Sequence, residues 1–77
     1  MGYFDGYIKY GDLAIQATME EARYVLDRTR RALDTGQTEL VVFGGEQQGG
    51  VRAITVGPGI PIYFRFEPGT DLGQGPR

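Results

Sequence analysis

Residues 19 to 35, MEEARYVLDRTRRALDT, run without a single Gly or Pro, and no other stretch of the chain constrains the fold as tightly. Immediately before them, Thr18-Met19-Glu20-Glu21 fits a capping box, in which the Thr hydroxyl accepts from the third amide and Glu21 reaches back to the cap amide. Immediately after them stands Gly36, the residue preferred where a helix turns left-handed to stop. The reading is one α-helix over 19–35. At 100° per residue Met19, Ala22, Val25, Leu26, Thr29, Ala32 and Leu33 share one face, which is the expected core stripe.

The other side of this helix carries Glu20, Asp27 and Asp34 among Arg23, Arg28, Arg30 and Arg31. Spacing favours pairs such as Arg23 with Asp27 and Asp27 with Arg31, so a solvated ion-pair face is expected. Tyr24 projects almost opposite the apolar stripe, on the side of Arg28 and Arg31. Tyr and Arg together are enriched in interface hot spots, which makes Tyr24 a candidate partner contact.

A chain with one helix must build the rest of its core from strands. Tyr7–Tyr10 and Leu13–Ala17 flank Gly11-Asp12, a two-residue hairpin signal, and Leu13, Ile15 and Ala17 alternate as the inward set. Thr38–Phe43 is almost continuously apolar and reads as a central strand covered on both faces. Val51–Val56 follows across Gly44-Gly45-Glu46-Gln47-Gln48-Gly49-Gly50. Ile60–Phe66 alternates Ile60, Ile62, Phe64 and Phe66 against Pro61, Tyr63 and Arg65, and Pro61 either demotes it to an edge or sits where its missing amide faces solvent. The expected architecture is α+β: a mainly antiparallel sheet of four or five strands in the order ββαβββ, with one amphipathic helix on one face. Residues 1–66 form the single domain, with Tyr3 and Phe4 as an aromatic arm, and the Gly- and Pro-rich 67–77 is expected to be a disordered tail.

One helix offers one apolar stripe, whereas the strands carry two competing sets. Val41, Phe43, Ile54 and Val56 point one way, and Leu40, Val42, Val51 and Ala53 the other. One set therefore lacks a cover within the chain, and uncovered apolar sheet faces mark association surfaces.

Composition narrows the chemistry. The 77-residue chain has no His and no Cys, and Ser is absent as well, so the commonest general base and the two commonest nucleophiles are missing. Disulfides and imidazole or thiolate metal sites are excluded, and no cofactor is expected. Asp5, Asp12 and Asp71 are too scattered for a calcium loop. The glycine-paired GGEQQGG matches neither phosphate-loop pattern, holds Glu46 and no Lys, and is followed by a strand where an anion site wants a helix; it reads as a hairpin tip. Net charge is -2, with seven Arg and one Lys, so nucleic-acid binding is disfavoured. No apolar run spans a bilayer, and the start of the chain lacks a signal-peptide pattern, so the expected setting is the cytoplasm.

The functional expectation is a small non-catalytic interaction or accessory protein, acting through a sheet face as a homodimer or as a subunit of a larger assembly. Tyr63, Arg65 and Arg52 are the candidate contacts on that face, with Tyr24 second. The rival expectation is a regulatory domain that binds a ligand or nucleic acid on the same face, using exposed aromatics to stack unpaired bases.

Overall fold

The computed structural model describes residues 6–45, 50–66 and 69. The elements follow the expected order: β1 (Gly6–Tyr10), β2 (Leu13–Ala17), α1 (Met19–Thr35), β3 (Glu39–Gly45), β4 (Gly50–Val56) and β5 (Ile62–Phe66). The Tyr3-Phe4 arm, the hairpin tip around Glu46 and the tail from residue 67, Gly69 excepted, lie outside the described residues.

The helix forms as its boundary residues require. Thr18 Oγ1 accepts from the Glu21 amide at 3.1 Å, the Thr18 amide donates to Glu21 Oε1 at 3.0 Å, and Gly36 closes the other end at φ 73°. Two amides that a helix start leaves without partners are thus bonded reciprocally. Ala22, Val25, Thr29 and Ala32 are buried, and the Thr29 hydroxyl donates to the Val25 carbonyl at 2.7 Å, which removes the cost of burying it. Leu33, at the end of the expected stripe, is exposed.

The strands form two antiparallel sheets, a three-stranded one in the order β2-β1-β5 and a β3-β4 ribbon, where one continuous sheet was expected. The link from β4 to β5 accounts for the division. Pro58 and Pro61 remove two amides from the five residues 57–61, Ile60 bonds back to the Gly57 carbonyl at 3.2 Å, and the chain leaves the ribbon before a β4-β5 ladder can begin. β5 then pairs with β1, Ile8 opposite Phe64, and lies at the expected sheet edge, with Pro61 standing just before its first residue. β3 is correspondingly no central strand: it has one partner, and its Leu40 and Val42 face outward.

α1 packs against the inner faces of both sheets, most closely against β3. The core joins Ile8, Ile15 and Ala17 from the first sheet to Val41, Phe43, Ile54 and Val56 from the ribbon, with Ala22, Val25 and Ala32 between them. Of the inward set expected on β2, Leu13 stays exposed near the hairpin turn. The helix approaches β1 closely at Gly6, where a Cβ would fall 2.9 Å from the Cβ of Ala22. Both residues are small because there is no room between helix and strand.

Candidate functional site

Four groups of side chains were candidates for function, and the fold separates them. The first is the arginine face of α1. Arg28 donates to Glu39 Oε1 through Nε at 3.2 Å and Nη2 at 3.1 Å, while Arg31 reaches Oε2 at 3.0 Å and Oε1 at 2.9 Å. The hydrogen bond from Arg31 holds the Glu39 carboxyl below its ordinary range, the bond from Arg28 adds to this, and partial desolvation opposes both. The same bond to Glu39 raises Arg31. Tyr24 belongs to this cluster: its hydroxyl accepts from Arg28 Nη1 at 2.9 Å, and the guanidinium carbon stands 5.7 Å from its ring centroid. The cluster clamps the helix to the start of β3. It replaces the expected pairs within the helix, since Asp27 meets Arg30 at 3.9 Å in place of Arg23 or Arg31.

Arg52 forms the second group, and the structure does not bring it to Tyr63 and Arg65. It lies on the inner side of the ribbon opposite Phe43, whose ring its guanidinium covers at 4.9 Å. Its Nη1 donates to the Gln16 carbonyl at 3.0 Å and its Nη2 stands 3.7 Å from Glu21 Oε1. One side chain therefore ties together the ribbon, β2 and the carboxylate that caps the helix. Nε and Nη2 are buried without a hydrogen-bond acceptor among the described residues, so the guanidinium is held by stacking and charge as much as by directed bonds.

The third group is the outer face of the three-stranded sheet. Register places Tyr7 opposite Arg65 and Lys9 opposite Tyr63, with Ala14 and Gln16 outward on β2. Tyr63 and Arg65 are exposed. Tyr7 and Lys9, absent from the candidates the sequence offered, belong to the same checkerboard of aromatic and cation. The signal that would have found them is their alternation in the first hairpin, inverted relative to Ile8 and Tyr10.

The fourth is the outer face of the ribbon. Leu40, Val42 and Gly44 on β3 lie opposite Thr55, Ala53 and Val51 on β4. Leu40 is 61% exposed, Val42 51% and Val51 70%, while the alternate residues Val41, Phe43, Ile54 and Val56 are buried. The competition between the two apolar sets is thereby resolved. Among the described residues, no charged side chain stands on the uncovered face.

No helix among the described residues is long and apolar enough to cross a membrane. Comparison of the chain with protein-family models, with curated proteins and with solved structures returned no match.

Proposed function

We propose that the chain is a small non-catalytic interaction protein of the cytoplasm, an accessory or regulatory subunit that docks on a larger protein through the outer face of its β3-β4 ribbon. The observation that carries this reading is the exposure of Leu40, Val42 and Val51 side by side on a face that holds no charge among the described residues. Covering each of the three contributes about 1–2 kcal/mol, given that each is already part-shielded. The partner that fits is an apolar protein surface with no unpaired polar group, because the ribbon offers only one side-chain hydroxyl, Thr55, and Tyr10 already engages it at 2.9 Å.

The test is Val42→Glu combined with Val51→Glu. Both positions are exposed, so the variant should fold with the stability of the parent to within about 0.5 kcal/mol per site. Recovered from its own cells by an affinity tag, the parent should bring down a stoichiometric partner that the variant loses. A partner retained by a folded variant at undiminished stoichiometry would refute the ribbon as the docking face.

A second reading has its own observation. The outward positions of β1, β2 and β5 hold two cations interleaved with two tyrosines and no carboxylate, an arrangement suited to stacking unpaired bases. The net charge of -2 opposes it. Binding of a single-stranded oligonucleotide that weakens steeply with salt would favour this reading, and no binding at low salt would end it.

A further inference from the structure

We propose that two copies of this chain join through β5, strand against antiparallel strand, about a two-fold axis passing beside Phe64. This inference stands apart from the ribbon proposal: it uses a different edge of the molecule and leaves Leu40, Val42 and Val51 untouched.

The backbone of β5 dictates where such a ladder would form. The two-residue turn Gly11-Asp12 makes Tyr10 and Leu13 a hydrogen-bonded pair, so Gly6, Ile8 and Tyr10 turn their amides and carbonyls to β2 while Tyr7 and Lys9 turn theirs to β5. Their partners Arg65 and Tyr63 therefore face β1. Pro61, two residues earlier, conforms: its carbonyl accepts from the Gly11 amide at 3.3 Å, on the β1 side. Ile62, Phe64 and Phe66 are left with their amides and carbonyls along the outer edge, where no described strand pairs with them. An edge of this kind is a template for another strand.

The occupant that fits the template is a second copy, because β5 is complementary to itself in one register. With the axis beside Phe64, Phe64 meets Phe64 of the second copy in a hydrogen-bonded pair, and Ile62 meets Phe66 in two more. Tyr63 then lies opposite Arg65 of the second copy in a non-hydrogen-bonded pair, where side chains come closest, and the same contact recurs across the axis. This repeats between chains the aromatic-against-cation pairing already present within the chain at Tyr7 with Arg65 and Lys9 with Tyr63. On the inner side, Ile62, Phe64 and Phe66 are only half-buried although they point toward the core, with the two Phe rings 6.5 Å apart. A second copy covers their open flank.

The sequence blocks the neighbouring registers. Moving the axis one residue toward the C-terminus, beside Arg65, sets Pro68 opposite Ile62, at a position that must donate to the ladder. Moving it one residue the other way, beside Tyr63, sets Ile60 opposite Phe66 and requires the Ile60 amide, which is already bonded to Gly57. Phe64 is thus the one centre that uses all three outward residues of β5.

Sedimentation equilibrium from about 1 to 100 μM tests the proposal, since dissociation constants in that span are read directly. A species of twice the 8.5 kDa chain mass is expected at the upper end. Tyr63→Arg, which sets guanidinium against guanidinium on both sides of the axis, should weaken the dimer about tenfold or more, and adding Arg65→Glu to that variant should restore it by placing opposite charges in register. Because the chain has no cysteine, Tyr63→Cys with Arg65→Cys should give an oxidised covalent dimer in which each new thiol bridges to the other copy, and either change alone should not. A monomer throughout the concentration range overturns the proposal. So does a dimer indifferent to Tyr63→Arg, or one abolished by Val42→Glu with Val51→Glu, which would place the contact on the ribbon.

Discussion

The three-stranded sheet and the β3-β4 ribbon share one helix and one core, yet they treat their outer faces in opposite ways. The larger sheet turns Tyr7, Lys9, Gln16, Tyr63 and Arg65 outward, a surface that water tolerates. The ribbon turns Leu40, Val42, Val51 and Ala53 outward, a surface as apolar as the one it buries. Strand chemistry alone does not cause the difference, because both are β-rich antiparallel segments. What separates them is that alternation in the first sheet tells inside from outside, whereas in the ribbon only the position of the helix does. An apolar face that folding leaves uncovered requires another explanation, and association supplies one.

Substitutions break this comparison in a graded way. The largest loss belongs to the shared core: Ile8→Ala and Ile54→Ala, one from each sheet, should each cost about 2–5 kcal/mol in urea unfolding, with Ile8 at the upper end because it is fully buried. A single cooperative transition in both variants would show one core spanning both sheets, and a biphasic transition in either would show two. Next comes Gly6→Ala, where the added methyl meets Ala22 at 2.9 Å with no flexible side chain to give way, and a loss of about 1–3 kcal/mol is expected.

Smaller again is the clamp between helix and ribbon. The folded Glu39 carboxyl titrates below its ordinary value of 4.5, so its contribution is complete above that pH and is lost as pH falls through the lowered folded value. Thermal midpoints of the parent and of Glu39→Gln should therefore differ at pH 7 and converge as the pH drops below the ordinary carboxylate range. A gap constant down to pH 3 would mean that the carboxylate charge contributes nothing. The smallest effect sharpens the comparison: Val42→Thr on the outer ribbon face should change stability by about 0.5 kcal/mol or less, whereas Val41→Thr, one residue away and fully buried, should cost several times that.

Local chemistry was legible in the sequence, and long-range partition was not. The capping box at Thr18 and Glu21, the stop at Gly36 and the turn at Gly11-Asp12 each reside within a few residues, so spacing reveals them. Phe64 and Arg65 likewise alternate plainly enough to place β5 and its edge position. The assignment of strands to two sheets depends on how a five-residue link with two prolines leaves the ribbon, which no periodicity records. Glu39 is 11 positions from Arg28, and Arg52 is 36 from Gln16. Helix spacing therefore suggested partners for the arginines within α1, and the fold offered a better carboxylate across the turn. Charge alone groups Arg52 with the outer contacts, although Val51 and Ala53 on either side of it face outward and strand alternation therefore turns it inward, toward Phe43.

The two sheets have no backbone ladder in common among the described residues. What links them besides packing is a pair of side chains, the Tyr10 hydroxyl on the Thr55 carbonyl at 2.8 Å and the Arg52 guanidinium on the Gln16 carbonyl. Cooperativity passes through such a joint less completely than through continuous strands, so amide exchange should resolve the ribbon as a unit that opens at lower free energy than β1. A segment that opens by itself can adjust its shape to whatever it docks on while the remainder of the molecule stays folded.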